Sequence, residues 1–421
     1  MIFLYRILIN FVFIISPLII IIRLFKGKED INRFKEKFCN FSISRANGKV
    51  IWLHGASVGE LQSIIPLLEK LEKDKNIKQI LLTSNTLSSS KIINRFKFKK
   101  IVHQFFPIDT NFLINKFLNY WKPSAAFFID SEIWPNTIIN LNHKNIPILL
   151  LNGRITKKTF KRWYLFKAFS RDIFEKFEVC FSSSIETKKY LKKLGAKQVK
   201  FIGNLKFSQS ENEKYLINEK FKKFIKKKTI WCASSTHKSE ELMCGSIHKE
   251  MKKKYKNLLT IIIPRHIDRV GDIIKDLNKL NLEIHHHDST KKININTDIY
   301  LVNSYGQTKS FYSICKNIFL GGSLINHGGQ NPLEASRFGC NILHGPYVSN
   351  FNEIYKFLKI RNVTQKVTNK KNMIKALNNL FKKSKVSKKT QKELKGIGER
   401  ILNSTLNEIN FIINKHEIKK T

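Results

Sequence analysis

Lys49–Leu71, KVIWLHGASVGELQSIIPLLEKL, decides the fold. Val50, Ile51, Trp52 and Leu53 form an unbroken apolar run, which reads as a buried strand. Leu61, Ile64, Ile65, Leu68 and Leu71 recur at helical spacing. A tight loop therefore joins strand to helix, and Glu60 stands at the helix start. A carboxylate there feels the positive end of the helix dipole, at the carboxyl end of a parallel strand, where open α/β sheets hold their ligands. That position suits a general base. A second reading is equally concrete: Ser57-x-x-Glu60 is a capping box, in which Glu60 ties back to the Ser57 backbone. On this stretch alone the cap is the heavier of the two readings.

Outward from that stretch, the pattern to about Ile202 alternates strand and helix, the signature of a parallel sheet with helices on both faces. The predicted strands are Val50–Leu53, Gln79–Thr83, Ile101–Gln104, Ala125–Ile129, Pro147–Leu151, Val179–Ser182 and Val199–Phe201. None is followed by G-x-G-x-x-G, so the dinucleotide fingerprint is missing. AAFFIDSEIWP at 125–135 repeats the opening arrangement, with Asp130 and Glu132 in the loop after a buried strand. Glu132 then shares an edge of the sheet with Glu60, unless it is only an acid at a helix start. Asn152-Gly153-Arg154 closes another strand and offers a guanidinium to an anionic group.

Residues 206–228 are polar and lysine-rich and read as a connector. A second α/β series follows, with strands at Thr229–Ala233, Leu258–Ile263, Asn317–Leu320 and Asn341–His344. Their ends carry Ser234-Ser235-Thr236-His237, Pro264-Arg265-His266 and Gly321-Gly322-Ser323. His327-Gly328-Gly329-Gln330-Asn331-Pro332-Leu333-Glu334 comes next, and Pro332 suits the first helical position. Glycines before a helix let an anion reach free backbone N–H groups, and Glu334 has the reach to bind ribose hydroxyls. Such a site needs no metal. Simple tight turns are the alternative use of these glycines.

Met1–Ile22 is apolar apart from Arg6 and is broken by Pro17; Arg23, Lys26, Lys28, Arg33, Lys35 and Lys37 follow. It lacks the leading charge and small-residue site of a cleaved signal, and the basic side keeps the bulk of the protein in the cytoplasm. A shallow anchor and a true span both remain open, because Ile7–Ile22 is short of the ~20 residues a span needs. The 421 residues suggest two domains, and 76 Lys and Arg against 32 Asp and Glu give a net charge of +44. That charge implies an anionic partner, although frequent Lys, Ile and Asn also point to a compositional bias. Six cysteines without C-x-x-C or metal-like spacing predict neither disulfides nor structural zinc.

HGASVGE, DSEIWPN, NGRI, GNLKF, SSTHKSEE, PRHIDR and GGSLINHGGQNPLEA occur here in order. Together they resemble the 3-deoxy-D-manno-octulosonic acid (Kdo) transferases of lipid A assembly. The resemblance implies the GT-B architecture, two Rossmann-like domains facing across a cleft, preceded by a membrane-associating helix. It implies an inverting transfer of Kdo from CMP-Kdo to a lipid A precursor, lipid IVA, at the cytoplasmic face of the inner membrane, with no metal and no cofactor. The expected layout is an anchor at 1–28, an acceptor-binding domain at 29–205, a linker at 206–228 and a CMP-Kdo-binding domain at 229–421.

By position, Glu60 matches the family's catalytic base and Glu132 its second acidic residue. Arg154, Ser235, His237, Arg265, His266, Gly322, Ser323, Gly328, Gly329, Asn331 and Glu334 fall in blocks used around the donor. Two departures touch nucleotide contacts: the family's usual Gly-Glu-Leu is Gly306-Gln307-Thr308 here, and its common His is Gln330. The rival readings are another GT-B nucleotide-sugar transferase or epimerase, and a basic nucleic-acid-binding protein. The HGASVGE and DSEIWPN blocks argue against the first. The absence of an aromatic-interleaved basic motif argues against nucleic acid.

Overall fold

The computed structural model describes residues 1–93, 96–208, 217–383, 386 and 388–418. It divides into two compact units, Met1–Glu211 with Ile397–Thr421, and Asn212–Gly396. The first holds β1 (Val50–His54), β2 (Gln79–Ser84), β3 (Ile101–Phe105), β4 (Ala125–Ile129), β5 (Ile148–Gly153), β6 (Val179–Ser182) and β7 (Val199–Phe201). They form one sheet in the order β3-β2-β1-β4-β5-β6-β7, parallel at every pair. These are the seven strands expected, with ends moved by a residue or two. Alternate side chains go to opposite faces. Val50 and Trp52 pack with Phe117, Trp121 and Phe128 on one side, while Ile51 and Leu53 pack with Ile64 and Leu68 on the other.

That second face is completed by the end of the chain. The helix Lys388–Ile418 places Ile401, Leu402, Ile409, Ile412 and Ile413 in the same cluster as Ile51 and Leu53. Each such buried aliphatic contributes roughly 1.5–3 kcal/mol. Gly398 permits the approach, since a Cβ there would lie 2.1 Å from the Phe207 carbonyl oxygen. The expected 229–421 domain is therefore corrected: it stops at Gly396, and 397–421 belongs with the first unit. Periodicity reveals that a helix has an apolar face, but not which sheet that face covers.

The Ile2–Phe25 helix is docked along one stripe. Tyr5 Oη donates to Asp109 at 2.7 Å, Arg6 Nε donates to Asn136 Oδ1 at 3.1 Å, and Arg23 pairs with Glu29 at 2.6 Å. Ile2 and Phe13 pack against the core, and Ser16 and Ile20 are buried. Pro17 has no N–H to reach the Phe13 carbonyl, and the Ser16 hydroxyl donates to that oxygen instead at 2.7 Å. The opposite face, including Phe3, Leu8, Phe11, Ile14 and Leu18, is exposed.

The second unit holds β8 (Thr229–Thr236), β9 (Leu258–Pro264), β10 (Ile284–His286), β11 (Ile299–Leu301), β12 (Asn317–Leu320), β13 (Asn341–His344) and β14 (Thr364–Lys366). Their order is β10-β11-β9-β8-β12-β13-β14, again parallel throughout. The three-residue strands β10, β11 and β14 escaped the sequence reading, although the equally short β7 did not. Of the expected 206–228 connector, residues 209–216 lie outside the described residues. Its end is already folded, since Phe221 in the helix Glu219–Ile225 packs on Tyr300 at 4.3 Å. All six cysteines are free and buried.

Candidate active site

Each sheet reverses its direction of growth beside its first strand. In the first unit the reversal falls between β1 and β4, so the loops after those strands open at one crevice, the usual ligand position in open α/β sheets. Those two loops carry Glu60 and Glu132.

Glu60 does form the capping box. Its Oε2 accepts from the Ala56 N–H at 2.7 Å, and the Ser57 hydroxyl donates to Oε1 at 2.8 Å while accepting from the Glu60 N–H at 3.3 Å. The cap does not exhaust the carboxylate. Burial, and then the charge of Glu132, push its carboxyl from 4.5 up to about 7 against those hydrogen bonds. Glu60 is thus capped and poised to exchange a proton near neutrality.

Glu132 is held by donors that the sequence reading missed. His54 Nε2 lies 3.2 Å and Trp134 Nε1 2.9 Å from its Oε2. A carboxylate only accepts, so Nε2 carries the His54 proton. Behind it, His54 Nδ1 meets Thr83 Oγ1 at 2.9 Å, and Trp52 Nε1 donates to the same oxygen at 2.9 Å. This chain of hydrogen bonds fixes the position of the Glu132 carboxylate. His54 and Trp134 lie inside the HGASVGE and DSEIWPN blocks, but only the pairing of β1 with β2 brings Thr83 to them.

Asp130 plays a different part. It has φ +56° and accepts from the Asn152 side chain, itself at φ +53°; Lys206 Nζ lies 3.6 Å from its other oxygen. Asn152 in turn accepts from the Leu205 N–H at 2.9 Å. Asp130 and Asn152 therefore tie the loop after β4 to the end of β5 and to the turn at Leu205 after β7. Arg154, half-buried, follows on the same edge, its N–H donating to the Asp130 carbonyl at 3.0 Å.

In the second unit the reversal lies between β8 and β12. Glu240, at the helix start after β8, reaches across it. Its carboxylate accepts from the backbone N–H groups of His237 at 3.0 Å, Gly322 at 2.7 Å, Ser323 at 3.3 Å and Leu324 at 3.1 Å. The Gly329 N–H donates to the Gly322 carbonyl at 2.8 Å. At the Gly321-Gly322-Ser323 turn the protein's own acid therefore takes the backbone N–H groups, and the Gly329 N–H goes to a backbone carbonyl. Gly328 and Gly329 have φ +90° and +74°, and a Cβ on them would press on Asn350 and Tyr347. They serve close packing. The helix after them, Leu333–Arg337, is five residues long, with Asn331 Oδ1 accepting from the Leu333 N–H at 3.1 Å and Glu334 half-buried in its first turn.

His237 is brought to this loop, 4.4 Å from His327 and 5.7 Å from His266 between ring centroids. A Cβ on Gly322 would fall 3.0 Å from its ring and 3.3 Å from Gln330 Nε2. His237 Nδ1 faces the Ser235 carbonyl at 3.1 Å, and Nε2 is buried without a partner. Burial, then the neighbouring His327, lower its pKa to about 4, so the ring is neutral at pH 7. Arg265 and His266 are exposed at the end of β9. The Ser323 hydroxyl is turned inward, donating to the Leu320 carbonyl at 2.5 Å and accepting from the Gly345 N–H at 2.8 Å. Among the described residues no group of three or more His, Cys, Asp or Glu is arranged to hold a metal ion.

A family model described as 3-Deoxy-D-manno-octulosonic-acid transferase (kdotransferase) matches residues 32–209. The 3-deoxy-D-manno-octulosonic acid transferase of Rickettsia bellii is 36% identical over 352 residues, which cover 82% of this chain and 83% of that protein. The chain belongs to the Kdo transferase family. The Haemophilus influenzae protein of the same description is 30% identical over 313 residues, 73% of each chain. A solved structure, a putative UDP-N-acetylglucosamine 2-epimerase from Listeria monocytogenes, is similar with a TM-score of 0.57 at 12% identity, over 89% of this chain and 98% of that one. That likeness shows the two-unit α/β fold shared by GT-B glycosyltransferases and such epimerases. Family membership makes the chain a glycosyltransferase that moves Kdo in lipopolysaccharide biosynthesis.

Proposed function

We propose that the chain transfers Kdo from CMP-Kdo to lipid IVA, with Glu60 as general base. The observation that carries this is Glu60 itself, a capped carboxyl raised to about 7 by burial and then by Glu132, in a Kdo transferase. The acceptor is a sugar hydroxyl, a poor nucleophile until a base begins to take its proton. Near pH 7 a carboxylate of raised pKa does so more readily than an ordinary one. Burial raises it and Glu132 adds to the rise, and the His54 and Trp134 donors hold Glu132 in place. Direct displacement at the Kdo ketosidic carbon then inverts its configuration.

The second unit binds the donor. His237 Nε2, buried and unpartnered, is aimed for a ligand oxygen, and the exposed Arg265 and His266 offer charge and hydrogen bonds to the leaving phosphate. Asn331 and Glu334 are assigned to the nucleoside side, and Arg154, Ser235, Gly322, Ser323, Gly328 and Gly329 shape the surrounding loops. No metal or cofactor is assigned. The exposed apolar face of the Ile2–Phe25 helix supports a position at the cytoplasmic face of the inner membrane, against an anionic surface. Because the other face of that helix is docked on its own unit from Tyr5 to Arg23, we read it as lying in the membrane interface rather than crossing.

The test is incubation of purified protein with CMP-Kdo and lipid IVA, followed by mass spectrometry of the lipid. A mass gain of one or more Kdo units is expected, and lost in Glu60→Gln. An unmodified lipid with folded, CMP-binding protein would reject the acceptor.

A further inference from the structure

The helix Lys157–Tyr164, which follows β5 and Arg154, has no buried residue. Its inner side is fixed: Phe160 and Trp163 lie against the first core cluster, and the Phe160 ring stacks on Tyr190 at 4.4 Å. Its end turns outward into three consecutive large apolar side chains, Tyr164, Leu165 and Phe166, which are 42%, 78% and 50% exposed. Around them stand Lys157, Lys158, Lys161, Arg162 and Lys167, all exposed. From Ile133 to Arg171 the chain contains no Asp or Glu, so this positive charge has no acidic neighbour in sequence.

An exposed apolar tip flanked in sequence by exposed cations matches one environment well. Aromatic and aliphatic groups enter the headgroup layer of a bilayer, while Lys and Arg extend their stems to anionic lipid phosphates. The place in the fold agrees. Phe160 and Trp163 share their core cluster with Ile2 and Phe13 of the N-terminal helix, so both elements pack on the same side of the first sheet. The corner also follows the carboxyl end of β5, next to β4, whose loop carries Glu132. We infer that the Lys157–Lys167 corner is a second membrane-contacting element, seated in the headgroup layer of an anionic bilayer beside the Ile2–Phe25 helix. Its link to catalysis rests on the lipid acceptor proposed above; the surface itself does not.

The test uses the full chain. The native cysteines are buried, so a cysteine at position 165 takes an environment-sensitive fluorophore selectively. Leu165→Cys is compared with Phe11→Cys on the N-terminal helix and with Phe411→Cys, exposed on the C-terminal helix. On vesicles rich in phosphatidylglycerol, the probes at 165 and 11 should shift to the blue and be quenched by nitroxide-labelled lipid, and the probe at 411 should do neither. A water-like, unquenched probe at 165 while the probe at 11 is quenched would overturn the proposal. In the second arm, Leu165→Glu with Phe166→Glu should slow Kdo transfer severalfold when lipid IVA sits in anionic vesicles and leave the rate in detergent unchanged. Equal rates for wild type and variant in both formats would count against it. If the wild type transfers nothing in either format, the acceptor reading fails, and the quenching result still decides the surface.

Discussion

Glu60 and Glu240 each stand at the start of the helix that follows the first strand of their sheet, at the place where that sheet reverses direction. Glu240 is 2% exposed and takes four backbone N–H groups, three of them from the loop after β12 on the far side of the reversal. Glu60 takes backbone N–H groups only from its own loop, and across the reversal it meets another carboxylate. The difference teaches how one position in a fold becomes either a clamp or a proton site. Burial raises both carboxyls; at Glu240 the amide donors oppose that rise and tie two loops together, whereas at Glu60 a facing carboxylate adds to it.

Substitution by glutamine should separate the two. In Glu60→Gln, transfer should fall on the order of a hundredfold or more, because the amide keeps the cap but cannot take a proton. The fold should not suffer. A carboxyl whose pKa is raised on folding adds stability that is full below its ordinary value of 4.5 and lost as pH rises through about 7. Removing it should therefore leave the melting temperature at pH 8 no lower than that of the wild type. Near-normal turnover in a folded Glu60→Gln protein would make Glu60 a cap and nothing more.

Glu240→Gln should do the reverse. It turns two donor hydrogens toward backbone N–H groups, a loss of about 2–3 kcal/mol by the usual worth of hydrogen bonds to charged groups. Denaturant unfolding measures it; unchanged stability would dissolve the clamp. A smaller effect is expected at His237→Ala, which removes the unpartnered Nε2: CMP binding by calorimetry should weaken about tenfold, the worth of one hydrogen bond to a charged group. The smallest effect is none at all: chelators should leave the rate of transfer unchanged, since every proposed contact to the donor is a protein group.

The parallel sheets were legible because their strands are apolar on both faces and long enough to show it, as in VIWL and AAFFI. Three-residue strands such as β14, TQK, carry no such signal. Glu60 and Glu132 were legible as acids at strand ends. The His54–Thr83 support was not, since it depends on which strands are neighbours. Glu240 hid for a related reason: two adjacent acids begin its helix, and only the fold shows that Glu240 turns inward to the glycine loop while Glu241 pairs with Arg269 at 3.2 Å. At Gly322 and Ser323 a backbone N–H looks free in the sequence until the side chain that claims it, Glu240, is placed.

The most direct test of Glu60 as a base set by Glu132 is the pH dependence of kcat/KM for Kdo transfer, in the wild type and in Glu132→Gln. In the wild type the rate should rise with pH along a single limb centred near 7, the value to which burial and Glu132 push the Glu60 carboxyl. In Glu132→Gln, whatever its remaining rate, the limb should move part of the way to lower pH, because the Glu132 contribution is gone while burial remains. A limb that stays in place in the variant, as it would if substrate phosphates set it, or a wild-type rate flat from pH 5.5 to pH 8 would contradict the assignment.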